Sequence, residues 1–420
     1  MTGAGVAQQR GRRVLSPSGR GTLAGCLLVL ACGWNLSNIG AVASTMAHAY
    51  GVSLATVGLL TTSIFVTHTA AQIPAGRVAD RSGGVRAGGA GLVLIALGDL
   101  IALQSAQLAL AIVGRAVSGL GTALSFVAGN ALVRDTGGSA SAQGLFGGIG
   151  LGAGGLALAV VPQVTGWRAP YWTSLALVVP ALVVLPVVAL PAPGATSSAR
   201  AGRLQLGMLL DRRLYRLSVL YSCTYGAAVV SANWVIELLR HHSSLSHAAE
   251  AVVGGLSLLL AVASRPLGGW VLHNKPGRVR SATACSLLAG ALGTVGLLVG
   301  RPAWAPVSGA VLVGLGAGIS FAPTFTGAAA SHPEAPAAAV GLVNMVANLC
   351  VLVGTPLAGL SFSLPGQGRI AFAVIAALWL VAWALLPSSD DLGARTGGSM
   401  GPMFHHRSHL AGDPEDLLPS

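Results

Sequence analysis

The side chains able to hold a charge or move a proton among apolar neighbours are few: His68, Asp80, Asp99, Arg115, Glu237 and Arg265. An ionisable group inside an apolar run is costly, and generally faces a protein interior or a watery cavity. A buried arginine there can hold an anion or a backbone carbonyl. An imidazole or carboxylate can take up and release a proton. Two of these groups also fit plainer roles. Glu237 stands three residues before Arg240, a spacing that suits an exposed helical ion pair, and Asp99 is a plausible partner for Arg115. Uncharged polar residues on the same runs are candidates to line a cavity: Asn35 and Asn38, Asn130, Tyr225, Asn233, Trp234, and Asn344 with Asn348. Residues three or four apart share one helix face, although such amides also serve as packing bonds between helices in membranes.

Other chemistries find no support. No catalytic cluster of carboxylates, histidine pairs or nucleophile lies within the apolar runs, and no G-x-x-x-x-G-K-[ST] phosphate loop occurs. Neither an enzyme nor a nucleotide-driven machine is expected, and no cofactor is implied. His241, His242 and His247, and again His405, His406 and His409, lack a cysteine or well-placed carboxylate to complete a metal site. The five cysteines (Cys26, Cys32, Cys223, Cys285 and Cys350) show no short paired spacing and read as buried free thiols.

The surrounding composition explains why charges are scarce. Of 420 residues, 53 % are hydrophobic and 9 % charged, against roughly 25 % charged in a soluble domain. Such a chain cannot cover a water-facing surface and belongs in a lipid bilayer. The net charge of +12 does not imply nucleic-acid binding, because Lys275 is the sole lysine and the arginines are scattered without a basic stripe.

A membrane span needs about 20 apolar residues. Such runs fall at 21–46, 54–76, 86–104, 107–132, 141–165, 170–191, 214–238, 248–272, 280–300, 303–328, 337–362 and 368–387. With the N-terminus in the cytoplasm, the outer side keeps only Arg168, Arg240, Arg301 and Arg369. Arg115 and Arg265 lie within spans, and every other basic residue falls inside. That asymmetry is the positive-inside pattern for twelve spans with both termini cytoplasmic, in a cell membrane. A cleaved signal peptide ending near Ala41-Val42-Ala43 is the rival reading of the start, but its apolar stretch is long and interrupted by Asn35 and Asn38.

The chain then divides into a tail (1–20), a six-span bundle (21–191), a Pro/Ala/Ser/Arg-rich linker (192–213), a second bundle (214–388) and a tail expected to be disordered (389–420). It also repeats itself. Gly119-Leu120-Gly121-Thr122-Ala123-Leu124-Ser125-Phe126 returns as Gly314-Leu315-Gly316-Ala317-Gly318-Ile319-Ser320-Phe321, and Pro74-Ala75-Gly76 as Pro266-Leu267-Gly268, at offsets of 195 and 192 residues. Two matches in register imply pseudo-symmetric halves.

Over residues 20–390 the chain resembles the major facilitator superfamily. The strongest match is the loop Gly76-Arg77-Val78-Ala79-Asp80-Arg81-Ser82-Gly83-Gly84-Val85-Arg86, similar to that family's G-x-x-x-D-R-x-G-x-x-R. Gly76 permits close helix approach, Gly83 permits a tight turn, and Asp80 can meet an arginine or a helix N-terminus. Gly76, Asp80, Arg81, Gly83 and Arg86 are thus expected to latch one half against the other on the inner face. The second-half copy has Leu272 and His273 in place of the Asp-Arg pair.

Arg115 begins a segment similar to the family's R-x-x-x-G-x-G, which implies proton coupling or substrate contact. Gly150-Leu151-Gly152-Ala153-Gly154-Gly155 partly matches the family's antiporter motif but lacks its proline. Arg265-Pro266-Leu267-Gly268-Gly269 resembles the nitrate/nitrite porter branch, where arginines on spans 2 and 8 bind the anion. Here span 2 offers Gln72 before Pro74 instead of a second arginine. The resemblance implies an all-α membrane protein of two six-helix bundles that carries a small solute by alternating access. It is expected to be proton-coupled and monomeric, using His68, Asp99, Arg115, Glu237 or Arg265. A small-anion porter, a drug or metabolite exporter and a non-transporting sensor are the alternatives.

Overall fold

The computed structural model describes residues 15–188 and 206–394, and within them the ordered structure is helical. The N-terminal tail up to residue 14, most of the linker and the C-terminal tail from residue 395 lie outside the described residues.

The first half contains α1 (Pro17–Ser37), α2 (Leu54–Ser82), α3 (Gly84–Leu103), α4 (Leu108–Asp135), α5 (Ala140–Val160) and α6 (Ala169–Val188). The second contains α7 (Arg212–His242), α8 (His247–Asn274), α9 (Val279–Val299), α10 (Trp304–Ser331), α11 (Pro336–Leu360) and α12 (Arg369–Ala384). Nine of these described helices are long and apolar enough to cross a membrane by length and composition, and α12 is apolar but shorter. Ser16, Ser53, Ser139 and Ser246 start α1, α2, α5 and α8 by accepting a bond from a first-turn N–H.

Several boundaries differ from those expected of the sequence. The run at 21–46 is not one helix: α1 stops at Ser37, and a 3₁₀ turn leads into a short helix, Ala43–Tyr50. Asn38 explains the break, because its side chain donates to the Pro170 carbonyl of α6 at 3.1 Å and ties the chain to that helix. Helix α7 starts at Arg212, inside the expected linker, with a π turn at Ser222–Ala227, and α10 breaks at Ser320. The expected tail begins later than 389, since residues 389–394 form a turn in which Asp391 pairs with Arg213 at 3.1 Å. Residues 17–20 likewise belong to α1. Cys285 is exposed on the bundle surface, unlike the buried Cys32 and Cys223, and all five thiols are free.

The repeat has a packing basis. A Cβ on Gly98 would collide with the Gly114 carbonyl oxygen, so α3 and α4 cross with backbones in contact. In the second half a Cβ on Gly293 would lie 2.5 Å from the Gly309 oxygen, joining α9 and α10 in the same way. Both pairs stand 195 residues apart, the offset of the octapeptide repeat. Without a hydrophobic drive between helices in lipid, such close approach is what holds a bundle together.

Gly293→Ala is therefore expected to lower the thermal unfolding midpoint in detergent by the equivalent of about 1–3 kcal/mol of overpacking. Gly255→Ala, where a Cβ meets open space, should leave it unchanged or raised. Equal midpoints for the two variants would contradict the crossing.

Candidate functional site

Between the halves lies a cavity lined by α1, α2, α4, α5, α7, α8 and α11. It extends past Ser37, Leu158 and Asn233 toward the end opposite the basic loops. Its only charged or readily titratable lining side chains among the described residues are His68 and Arg265; no carboxylate lines it.

His68 is buried on α2. Its Nδ1 lies 2.9 Å from the Thr122 hydroxyl and its Nε2 lies 2.8 Å from Gln72 Nε2. Thr122 in turn donates to the Gly119 carbonyl at 2.8 Å. The network assigns the tautomer. Thr122 spends its proton on Gly119, so the ring donates from Nδ1, and Nε2 accepts from the Gln72 amide. The Gln72 carbonyl oxygen is buried without a partner. If the amide turns over, that oxygen can accept a proton carried on Nε2, so the pair has a bonding pattern for either ring state. Gln72 follows His68 by four residues, a same-face spacing visible in the sequence, although nothing in the sequence marked it as the partner.

Arg265, on α8, is also buried. Its guanidinium stacks 4.5 Å from the centre of the Phe321 ring and 5.9 Å from that of Tyr225. Its Nη1 donates to the Gly147 carbonyl of α5, a bond between the halves. No acid pairs with it among the described residues. Tyr225 stacks on Tyr221 with centroids 5.0 Å apart and donates to Asn348 Oδ1 at 3.5 Å. Asn344, Asn348 and Asn233 line the cavity too.

Below these residues the halves close on each other. Phe126 of the first half meets Phe325 of the second with centroids 5.9 Å apart, and Thr326 donates to Gln143 at 2.9 Å. At the basic end a Cβ on Gly76 would lie 2.5 Å from Ala338 Cα. The Asp80 carboxylate accepts from the backbone N–H groups of Ala337 at 3.0 Å and Ala338 at 3.1 Å. The partner of Asp80 is thus the N-terminus of α11. Gly83 adopts φ 82° at the turn, and Arg81 and Arg86 are exposed.

Other expected site residues stand elsewhere. Arg115 is fully buried, but between α1, α3, α4 and α6 instead of on the cavity wall. It donates to the Asn35 carbonyl. Asp99 shares that cluster without forming the expected ion pair: both its oxygens, and Nε and Nη1 of Arg115, make no hydrogen bond. Asn35 and Asn38 face α6, where Asn35 donates to Ser174 at 2.8 Å. Their face is turned from the cavity because the same bonds pin α1 to α6. Trp234 packs on Phe362 and donates to the Thr355 carbonyl at 2.9 Å, and Asn130 is buried outside the lining. Glu237 is half-buried, stands outside the cavity lining, and pairs with Arg240 at 3.1 Å and His241 at 3.2 Å.

No cluster of three or more potential metal ligands gathers among the described residues. His405, His406 and His409 lie outside them, as does the side chain of His247.

The fold has counterparts among solved structures. The human organic anion transporter MFSD10 (TETRAN) superposes with a TM-score of 0.69 at 16 % identity, over 89 % of this chain and 100 % of that one. The transporter FucP in its outward conformation gives 0.68 at 16 %, over 90 % and 98 %. The proton:xylose symporter XylE bound to 6-bromo-6-deoxy-D-glucose gives 0.71 at 12 %, over 87 % and 94 %. No curated protein matches the sequence. The profile of the Major Facilitator Superfamily matches residues 23–355. With a two-half helical bundle, a cavity between the halves and that match over most of its length, the chain belongs to the Major Facilitator Superfamily and is a multi-pass membrane transporter.

Proposed function

We propose that this transporter is a proton-coupled secondary carrier of a small, preferentially anionic solute. It crosses the membrane twelve times, works as a monomer in the cell membrane and keeps both termini in the cytoplasm. The observation that carries this reading is the cavity itself: an unpaired guanidinium and one imidazole, with no carboxylate between them. A buried cation without a counter-ion is costly, and an anionic solute supplies the missing charge. The aromatic rings around Arg265 suit an organic body beside the anionic group. Nitrate itself is less well served, because Ile73, which corresponds to Arg265 at the 192-residue offset, offers no second guanidinium, and the adjacent Gln72 is engaged with His68. Among the structural neighbours, MFSD10 is an organic anion transporter, XylE a proton:xylose symporter and FucP a fucose:proton symporter. An anionic solute and a coupling proton both have precedent on this fold.

In the mechanism His68 takes the coupling proton on Nε2 and the Gln72 carbonyl oxygen turns to accept a hydrogen bond from it. Arg265 holds the anion. An anion drawing the guanidinium toward it competes with the Gly147 carbonyl and loosens the bond between α5 and α8. Asp80 then parts from α11, the basic end opens, and the two halves rock about the cavity.

Arg265→Gln should abolish binding of small carboxylates, measured by thermal shift, while leaving that of neutral solutes unchanged; retained carboxylate binding would sink the anionic reading. His68→Gln should leave binding in place but remove the effect of a pH gradient on uptake into proteoliposomes. Gradient-stimulated uptake in that variant would remove His68 from the coupling path. For Asp80→Asn, loss of the charge at the α11 N-terminus costs up to about 2 kcal/mol, shifting the closed state by about 5–30-fold. Transport should fall with expression largely intact, and normal rates would refute the latch.

A further inference from the structure

At the basic end, outside the cavity and the latch, a groove opens between the start of α7 and the end of α12. Arg212, Arg213, Tyr215, Arg216 and Val219 form its α7 wall, and Leu385 and Asp391 form the other. Arg212, Tyr215, Arg216 and Val219 follow i, i+3, i+4, i+7 spacing and so share one helix face. Arg212 and Arg216 are exposed and have no acidic partner among the described residues. Arg213, at the edge of that face, is engaged differently. Its Nε pairs with Asp391 at 3.1 Å and its Nη2 donates to the Asp390 carbonyl at 2.9 Å. That pairing neutralises the only acid in the groove wall among the described residues, leaving Arg212 and Arg216 facing the opening.

The groove continues into an apolar track. Ile370, Val374, Val381 and Leu385 are 47 %, 54 %, 46 % and 44 % exposed and fall within one stripe of α12 at 100° per residue. From Val374 to Leu385 the stripe runs about 16 Å at 1.5 Å per residue, close to half of a ~30 Å hydrocarbon core. A single leaflet's acyl chain therefore has a lipid-facing apolar path ending in the groove. Tyr215 is 45 % exposed beside it, with its hydroxyl donating to the Leu209 carbonyl, as an aromatic at a membrane–water boundary is placed.

We infer that this groove is a binding site for an anionic phospholipid: Arg212 and Arg216 hold the headgroup phosphate, and an acyl chain lies along the Val374–Leu385 stripe of α12. A free phosphate would satisfy the arginines but leaves the apolar track unexplained, and a zwitterionic lipid fills the track but brings no net charge. The inference rests on the membrane embedding alone and stands whatever the cavity carries.

The test is lipid binding to the full-length purified protein, followed by native mass spectrometry and by the unfolding midpoint, with phosphatidylglycerol, phosphatidylcholine, glycerol 3-phosphate and inorganic phosphate as probes. Phosphatidylglycerol should be retained in preference to phosphatidylcholine and should raise the midpoint. Arg212→Gln with Arg216→Gln should weaken its retention roughly 30-fold, about fivefold for each arginine, without changing the midpoint in phosphatidylcholine. Leu385→Asn alone should weaken phosphatidylglycerol retention with both arginines present. Lys275→Gln with Arg278→Gln, an equal loss of charge at the same end, should leave it intact. Equal retention by wild type and the arginine variant overturns the proposal, as does an equal loss in the Lys275/Arg278 control. Displacement of phosphatidylglycerol by either soluble phosphate would show a free-anion site and overturn it too. If the arginine variant fails to fold, the Leu385 variant decides on its own.

Discussion

Helix α11 begins without a cap of its own. Its N-cap position is Ala335, which offers no side-chain acceptor, although the first-turn N–H groups of any helix need partners. Asp80, from the opposite half of the protein, supplies two of those bonds. A local requirement of one helix is thereby met only while the halves are together at the basic end. Gly76 is part of the same constraint, since any side chain there would strike the α11 backbone and push Asp80 out of reach. Closure of this end and satisfaction of α11 are one interaction, and the cavity beyond it is shaped by that closure.

The pseudo-symmetric contact, α8 against α5, is built otherwise. Helix α5 carries its own cap in Ser139, so it needs no acid from across the interface, and Leu272 stands buried where an aspartate would otherwise be required. Gly269 approaches Ala140 as Gly76 approaches Ala338, which preserves the packing without the charge. At the 192-residue offset the chemistry is likewise divided: His68 corresponds to Leu260, Ile73 to Arg265 and Asp80 to Leu272. The halves share their glycine crossings and differ in their ionisable groups, as expected if duplication preserves packing while each half specialises.

Much of this architecture was legible in the residues. Apart from the first, which breaks at Asn38, the apolar runs matched the helices within several residues because lipid demands both length and apolarity, and the glycine repeat marked crossings that only small residues allow. The loop motif identified Asp80, and its two possible partners narrowed to one when α11 proved to lack a cap. Orientation about each helix axis was much less legible. Asn35, Asn38 and Arg115 carry the polarity expected of a cavity wall, yet they face α6, because in a helix buried on several sides polarity says that a partner exists without saying which neighbour provides it. The missing ion pair between Asp99 and Arg115 has the same origin: sequence places both in one layer of the bundle but does not set the angle between their side chains. The ring contacts of Phe126, Phe321 and Phe325 escaped notice because phenylalanine inside an apolar run carries no distinguishing signal.

The distribution of charge connects these features. Arg240 is met by Glu237 and Glu250, and Asp391 is met by Arg213. Arg265 is different: it is held by a carbonyl and by ring faces, which bind a cation without cancelling its charge. A buried guanidinium in that state is a position of high electrostatic demand. The same side chain bonds across the interface to Gly147, so whatever meets the demand also acts on the contact between the halves. A neutral residue at this position would leave the α5–α8 contact to packing alone, and the cavity would lose the one group that lets its occupant bear directly on closure.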